Sequence, residues 1–72
     1  MIDIKVYGSE SCGKCKIIIK KLNDKNIGVY YSMDKEEVLD MAEKFNTREL
    51  PICVVDGEYK SYMEMNKWIR DM

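Results

Sequence analysis

The segment Cys12-Gly13-Lys14-Cys15 carries the residues of this sequence best suited to chemistry. Two thiols three positions apart lie nearly one helical turn from each other, close enough to bridge. Ile2, Ile4 and Val6 alternate with polar residues and Tyr7, which predicts a strand. Residues 8–11 then form a loop. Cys15, Ile18, Ile19 and Leu22 recur at helical spacing, so a helix over about residues 12–26 is expected, with Ser11 as N-cap. Cys12 would then sit at a helix N-terminus, where free N–H groups and the helix dipole favour a thiolate. Cys15 shares the face of Ile18 and Leu22 and should be the more buried. One exposed, activated thiol beside a shielded one is the arrangement that thiol–disulfide exchange requires. Lys14 and Lys16 add positive charge nearby.

Two other readings of the pair remain. Half of a zinc site is one, although zinc commonly takes four Cys or His ligands and this chain has three cysteines and no histidine. Two incidental core cysteines is the other. A structural disulfide fits poorly, because so small a loop restrains the unfolded chain very little. The strand-to-helix setting favours the redox reading.

A length of 72 residues accommodates one domain, residues 1–72. Twelve Lys and Arg balance thirteen Asp and Glu, for a formal net charge of −1. That balance points to neither nucleic acid nor a membrane as partner. The sequence contains no run of about 18 apolar residues and opens directly on a strand pattern with no signal-peptide features. The expected setting is therefore the cytoplasm, and the expected form a monomer.

The remaining elements must position the pair. Gly28 should close the first helix region, and residues 29–32 read as a second strand. Asp34 and Glu37 have capping-box spacing before the stripe Val38, Met41, Ala42 and Phe45. Pro51 opens the apolar run Ile52-Cys53-Val54-Val55, and Asp56-Gly57 predicts a hairpin turn into residues 58–60. Ser61 and Glu64 again have capping-box spacing, and Met65, Trp68 and Ile69 mark a last buried helical stripe. The expected fold is α/β, β-α-β-α-β-β-α: a four-stranded mixed sheet flanked by three helices.

Val6-Tyr7-Gly8-Ser9 leading into Cys12-Gly13-Lys14-Cys15 resembles the active-site segment of the glutaredoxins, of the thioredoxin superfamily. Leu50-Pro51-Ile52 looks like that family's hydrophobic-Pro segment, and Asp56-Gly57 matches its final hairpin. The resemblance implies a thioredoxin-like fold, a cis Leu50–Pro51 bond beside Cys12, and a substrate strand received by the backbone around Pro51. It implies a disulfide oxidoreductase with Cys12 and Cys15 catalytic, and Gly13, Lys14, Arg48, Leu50 and Pro51 meeting the substrate, a disulfide-containing protein or small molecule. No tightly bound cofactor is implied. Glutathione or a thioredoxin-reductase-type flavoenzyme would be the reductant. Gly13 in place of the common Pro also leaves open an iron–sulfur module, two chains bridging a [2Fe–2S] cluster through Cys12.

The departures have a direction. Gly13-Lys14 replaces the usual Pro-Tyr, Ser9 stands where a glutathione-binding Lys is common, and Glu49 replaces a Thr. Such a site is expected to use glutathione weakly and the flavoenzyme better. Redoxins associated with ribonucleotide reductase share that lack of a clear glutathione site, which suggests electron donation to that enzyme. Their Trp-Ser-Gly-Phe segment does not occur here.

Cys53 reads as a small core residue and Tyr7 as a packed strand tyrosine or a border of the site. Met33, Met41, Met63 and Met65 read as core filler. Lysines fill most of the outer face of the first helix, whereas Asp34, Glu36, Glu37, Asp40 and Glu43 cluster on the second.

Overall fold

In a computed structural model, which describes residues 3–71, the elements follow in the expected order. They are β1 (Ile4–Tyr7), α1 (Gly13–Asp24), β2 (Tyr30–Ser32), α2 (Lys35–Lys44), β3 (Ile52–Val55), β4 (Glu58–Lys60) and α3 (Tyr62–Arg70). Ile2, assigned to the first strand by its alternation, lies outside the described residues. The sheet is mixed and open, in the order β2-β1-β3-β4. β2 runs parallel to β1 because a helix connects them, whereas β3 runs antiparallel to both β1 and β4.

Side-chain alternation sorts the core into two layers. Ile4 and Val6 of β1, with Cys53 and Val55 of β3, meet Ile18, Leu22, Met65 and Ile69 from α1 and α3. Tyr7, Ile52 and Val54 point the other way, onto Val38, Met41, Ala42 and Phe45. β3 is therefore covered on both faces, which is why it reads as an unbroken apolar run. No residue of α2 is fully buried, so it covers its side more loosely. Among the described residues, no helix is long and apolar enough to cross a membrane.

Several boundaries differ from the sequence expectation. Cys12 rather than Ser11 caps α1: its sulfur accepts the Cys15 N–H at 3.1 Å, whereas the Ser11 hydroxyl meets that of Ser9. The turn after α1 is made by Asn26, with φ of 57°, and not by Gly28. The N–H of Ile27 and of Asn26 return to Leu22 and Asn23, which satisfies carbonyls at the helix end. Asn46, with φ of 51°, repeats the device after α2. Asp34 caps α2 through the Glu36 N–H, but Glu37 does not complete a capping box. Its carboxylate instead accepts from the hydroxyls of Tyr30 and Ser32, tying α2 to β2. The Ser61–Glu64 capping box is complete. Asp56 and Gly57 both have positive φ, as a two-residue hairpin turn requires. Of the four methionines read as core, Met65 is buried and Met41 packs partly, but Met33 and Met63 are 46% and 80% exposed. Each lies just outside or at the start of a helix, where periodicity says little about burial.

Candidate functional site

The chain leaves β1 at Tyr7 and turns through residues 8–12 into α1. Gly8 anchors this turn by donating its N–H to the Ser32 carbonyl at 3.0 Å. The Tyr31 hydroxyl reaches the Ser9 carbonyl at 3.5 Å. Cys12 follows, partly exposed, with extended backbone geometry at the helix cap. Cys15 has no exposed surface at all. The two are disulfide-bonded, with Cα atoms 5.3 Å apart. The sequence reading made Cys15 the more buried of the two, which it is, whereas Cys12 is only partly exposed.

The Cys15 N–H aimed at the Cys12 sulfur is one of the free donors at the start of α1. A thiolate at Cys12 would accept that same hydrogen bond, and more strongly than a thiol would. Lys14 is exposed but directs its ammonium to the Tyr62 ring, 5.3 Å from the centroid. Its charge thus lies over α3.

Gly8 is a part of the site that sequence reading left as a loop residue. A Cβ built on it would overlap the Cys15 sulfur and lie 3.1 Å from the Cys15 Cβ. Cys15 therefore occupies space that only glycine leaves free. The signal was present in the sequence as a glycine closing a strand before the cysteine pair, but not the contact that needs it.

The Leu50–Pro51 bond is cis, as expected, and Pro51 is fully buried. Tyr7 pairs with Ile52, so extending the same antiparallel register sets Pro51 level with Gly8, beside the cysteine loop. The preceding turn is held by the Thr47 hydroxyl, which accepts the Glu49 N–H and meets the Tyr59 hydroxyl, both at 3.3 Å.

A groove of about 640 Å³ runs between this loop and α2. It is lined by residues 8–11 on the loop, by Met33, Lys35, Val38 and Leu39 before and on α2, and by Leu50. Lys35 and Leu39 were not singled out from sequence, since the bend that brings the start of α2 to the cysteine loop is tertiary. Arg48 does not line this groove; it borders a neighbouring depression with Ala42, Glu43 and Asn46, across Leu39, which lines both. Gly13 and Lys14 are exposed on the first turn of α1.

Tyr7 is buried, its ring edge-on to that of Tyr30 at 6.2 Å. Burial first, and then the nearby carboxylates Glu37 and Asp3, keep its phenol protonated to higher pH than usual. Cys53 is a free, fully buried thiol in the sheet, and burial pushes its pKa up to about 12. It is thus an inert neighbour of Val6. Among the described residues, no three Cys, Asp or Glu side chains gather as a metal site. A shared cluster would draw on Cys12, since Cys15 is fully buried, and take its remaining ligands from outside this chain.

No family model matches the chain, and no curated protein matches it.

Proposed function

We propose that this chain is a dithiol–disulfide oxidoreductase with a thioredoxin-like, glutaredoxin-type fold. The observation that carries the reading is the unequal pair at the helix start: Cys12 partly exposed under a donated N–H, Cys15 wholly buried and within bonding reach. The cis Leu50–Pro51 bond and the sheet order support it.

The Cys12 thiolate attacks one sulfur of a substrate disulfide. That bond breaks, and the other sulfur leaves as a thiolate that takes a proton from water. Cys15 then gives up its proton and attacks Cys12. The Cys12–Cys15 bond forms, and the second substrate thiol departs. The substrate gains two electrons and two protons; the pair supplies both electrons and the Cys15 proton, and water supplies the other proton. An external thiol or a flavoenzyme returns the electrons, as befits a reducing compartment such as the cytoplasm. The backbone at Leu50 receives the substrate as an added strand.

Glutathione carries two carboxylates to be met by cations or N–H groups. The groove beside Cys12 is lined by one cation, Lys35, and by one carboxylate, Glu10. A missing charged contact costs about 1.5–3 kcal/mol, or roughly one to two decades of affinity. Reduction by a thioredoxin-reductase-type flavoenzyme is therefore favoured over reduction by glutathione.

The test uses the reduced protein and a cystine-containing peptide. Cys12→Ser abolishes reduction, and Cys15→Ser accumulates a mixed disulfide at Cys12, identified by mass spectrometry. Trapping at Cys15 or Cys53 in the corresponding variants, or turnover by Cys12→Ser, would overturn the assignment.

A further inference from the structure

The two faces of the sheet carry opposite charge. α1 and its cap present Lys14, Lys16, Lys20, Lys21 and Lys25, and α3 adds Lys67 and Arg70, all exposed. Only Asp24, Glu64 and Asp71 oppose them on these two helices and their caps. The α2 face is the reverse, with Asp34, Glu36, Glu37, Asp40 and Glu43 against Lys35 and Lys44. Neither set is neutralised internally: among the described residues the one ion pair is Lys5 with Asp3, at 3.9 Å on β1 and its flank.

The cations form a strip with a direction. Lys14 lies over Tyr62, the Lys21 ammonium donates to the Asn66 amide oxygen at 2.6 Å, and Lys25 and Arg70 border one shallow concavity of about 350 Å³. The contacts climb both helices in step, so α1 and α3 lie side by side and point the same way. The strip thus begins two residues from Cys12 and follows α1 for about 18 Å. Met63, 80% exposed, adds an apolar contact at the same end as Lys14.

We infer that the α1–α3 face is the docking surface for a protein partner whose reacting cysteine is bordered by acidic residues. The inference rests on the redox reading above and specifies its partner. Complementary charge around a reacting pair raises the encounter rate and orients the partner. A protein is favoured over a polynucleotide because the net charge is only −1 and the opposite face carries a cluster of carboxylates, which repel a long polyanion that extends beyond the strip.

Two cystine-bridged peptides test this, one with about six Glu beside each cysteine and one with about six Lys. Six extended residues span roughly 20 Å, the length of the strip. At low ionic strength the reduced protein should reduce the acidic peptide about ten-fold faster or more. About 0.5 M salt should erase that preference, because the screening length falls below the width of a helix. Combined Lys20→Glu, Lys25→Glu and Lys67→Glu should also erase it, while reduction of neutral 2-hydroxyethyl disulfide stays unchanged. Equal rates for the two peptides at low salt, or a preference that survives the triple reversal, would overturn the docking surface. So would an oligodeoxynucleotide that binds the strip while the acidic peptide gains no rate. Failure to reduce the neutral disulfide would instead overturn the redox reading itself.

Discussion

Gly8→Ala isolates the contact on which the inner cysteine depends. Gly8 is buried and its φ does not lie in the left-handed region, so alanine strains no backbone there. The penalty is steric. The new methyl would overlap the Cys15 sulfur, approach its Cβ to 3.1 Å and touch the Tyr31 ring at 3.6 Å. The Gly8 N–H is held by the Ser32 carbonyl, which resists movement of the strand end. Cys15 sits above Ile18 and Leu22 with no exposed surface to yield into. Overpacking of this kind costs about 1–3 kcal/mol. In a domain of this size each kcal/mol lowers the melting temperature by roughly 4–8 °C. Urea denaturation of the oxidised protein should register the loss. Because the clash is chiefly with sulfur, Cys15→Ala should relieve much of it. Gly8→Ala should therefore cost at least about 1 kcal/mol less in a Cys15→Ala background than in the parent, both measured reduced, a coupling that a double-mutant cycle resolves. Additive losses, or a Gly8→Ala protein as stable as its parent, would refute the reasoning.

Other outcomes follow from the core and caps. Ser61→Ala removes the side-chain half of the α3 capping box and should cost about 0.5–2 kcal/mol in urea denaturation. Ile18→Ala should cost about 2–5 kcal/mol, since Ile18 is fully buried between α1 and the sheet. Cys53 makes stability fall on the alkaline side. Its thiol titrates at about 12 when folded against a reference of 9.0, so the folded state holds its proton over that interval while the unfolded chain loses it. The stabilisation is complete below pH 9 and declines above it, by at most about 1.4 kcal/mol per pH unit. Cys53→Ala should flatten that decline relative to the parent, and identical slopes in denaturation at pH 8 to 11 would contradict it.

Much of the architecture was legible in the residues because the relevant signals are local. Apolar alternation in Ile4 and Val6, helical stripes such as Ile18 with Leu22, and the Asp56-Gly57 turn depend on a few neighbouring residues. So does the placement of Cys15 inward, which follows from sharing a helical face with Ile18. Helix ends were read less well. Ser11 and Gly28 have the right residue types for an N-cap and a C-terminal turn, but Cys12 and Asn26 hold those roles. Several residue types can satisfy the same orphan N–H or adopt positive φ, and the choice turns on where the rest of the chain exits.

The sequence by itself determined that two cysteines would stand at a helix start within bridging reach of each other, because spacing along one helix sets both. Only the tertiary structure decided what surrounds them. It put the glycine before the pair against the inner sulfur, and it drew Glu37 from a helix cap to Tyr30 and Ser32. It also set Lys35 and Leu39 across from the cysteine loop and left Arg48 elsewhere. It laid α3 alongside α1, so that lysines from distant stretches of chain join into one strip beginning near Cys12. These contacts join residues far apart in the chain, and packing of helices on a twisted sheet, rather than any local pattern, sets which of them meet.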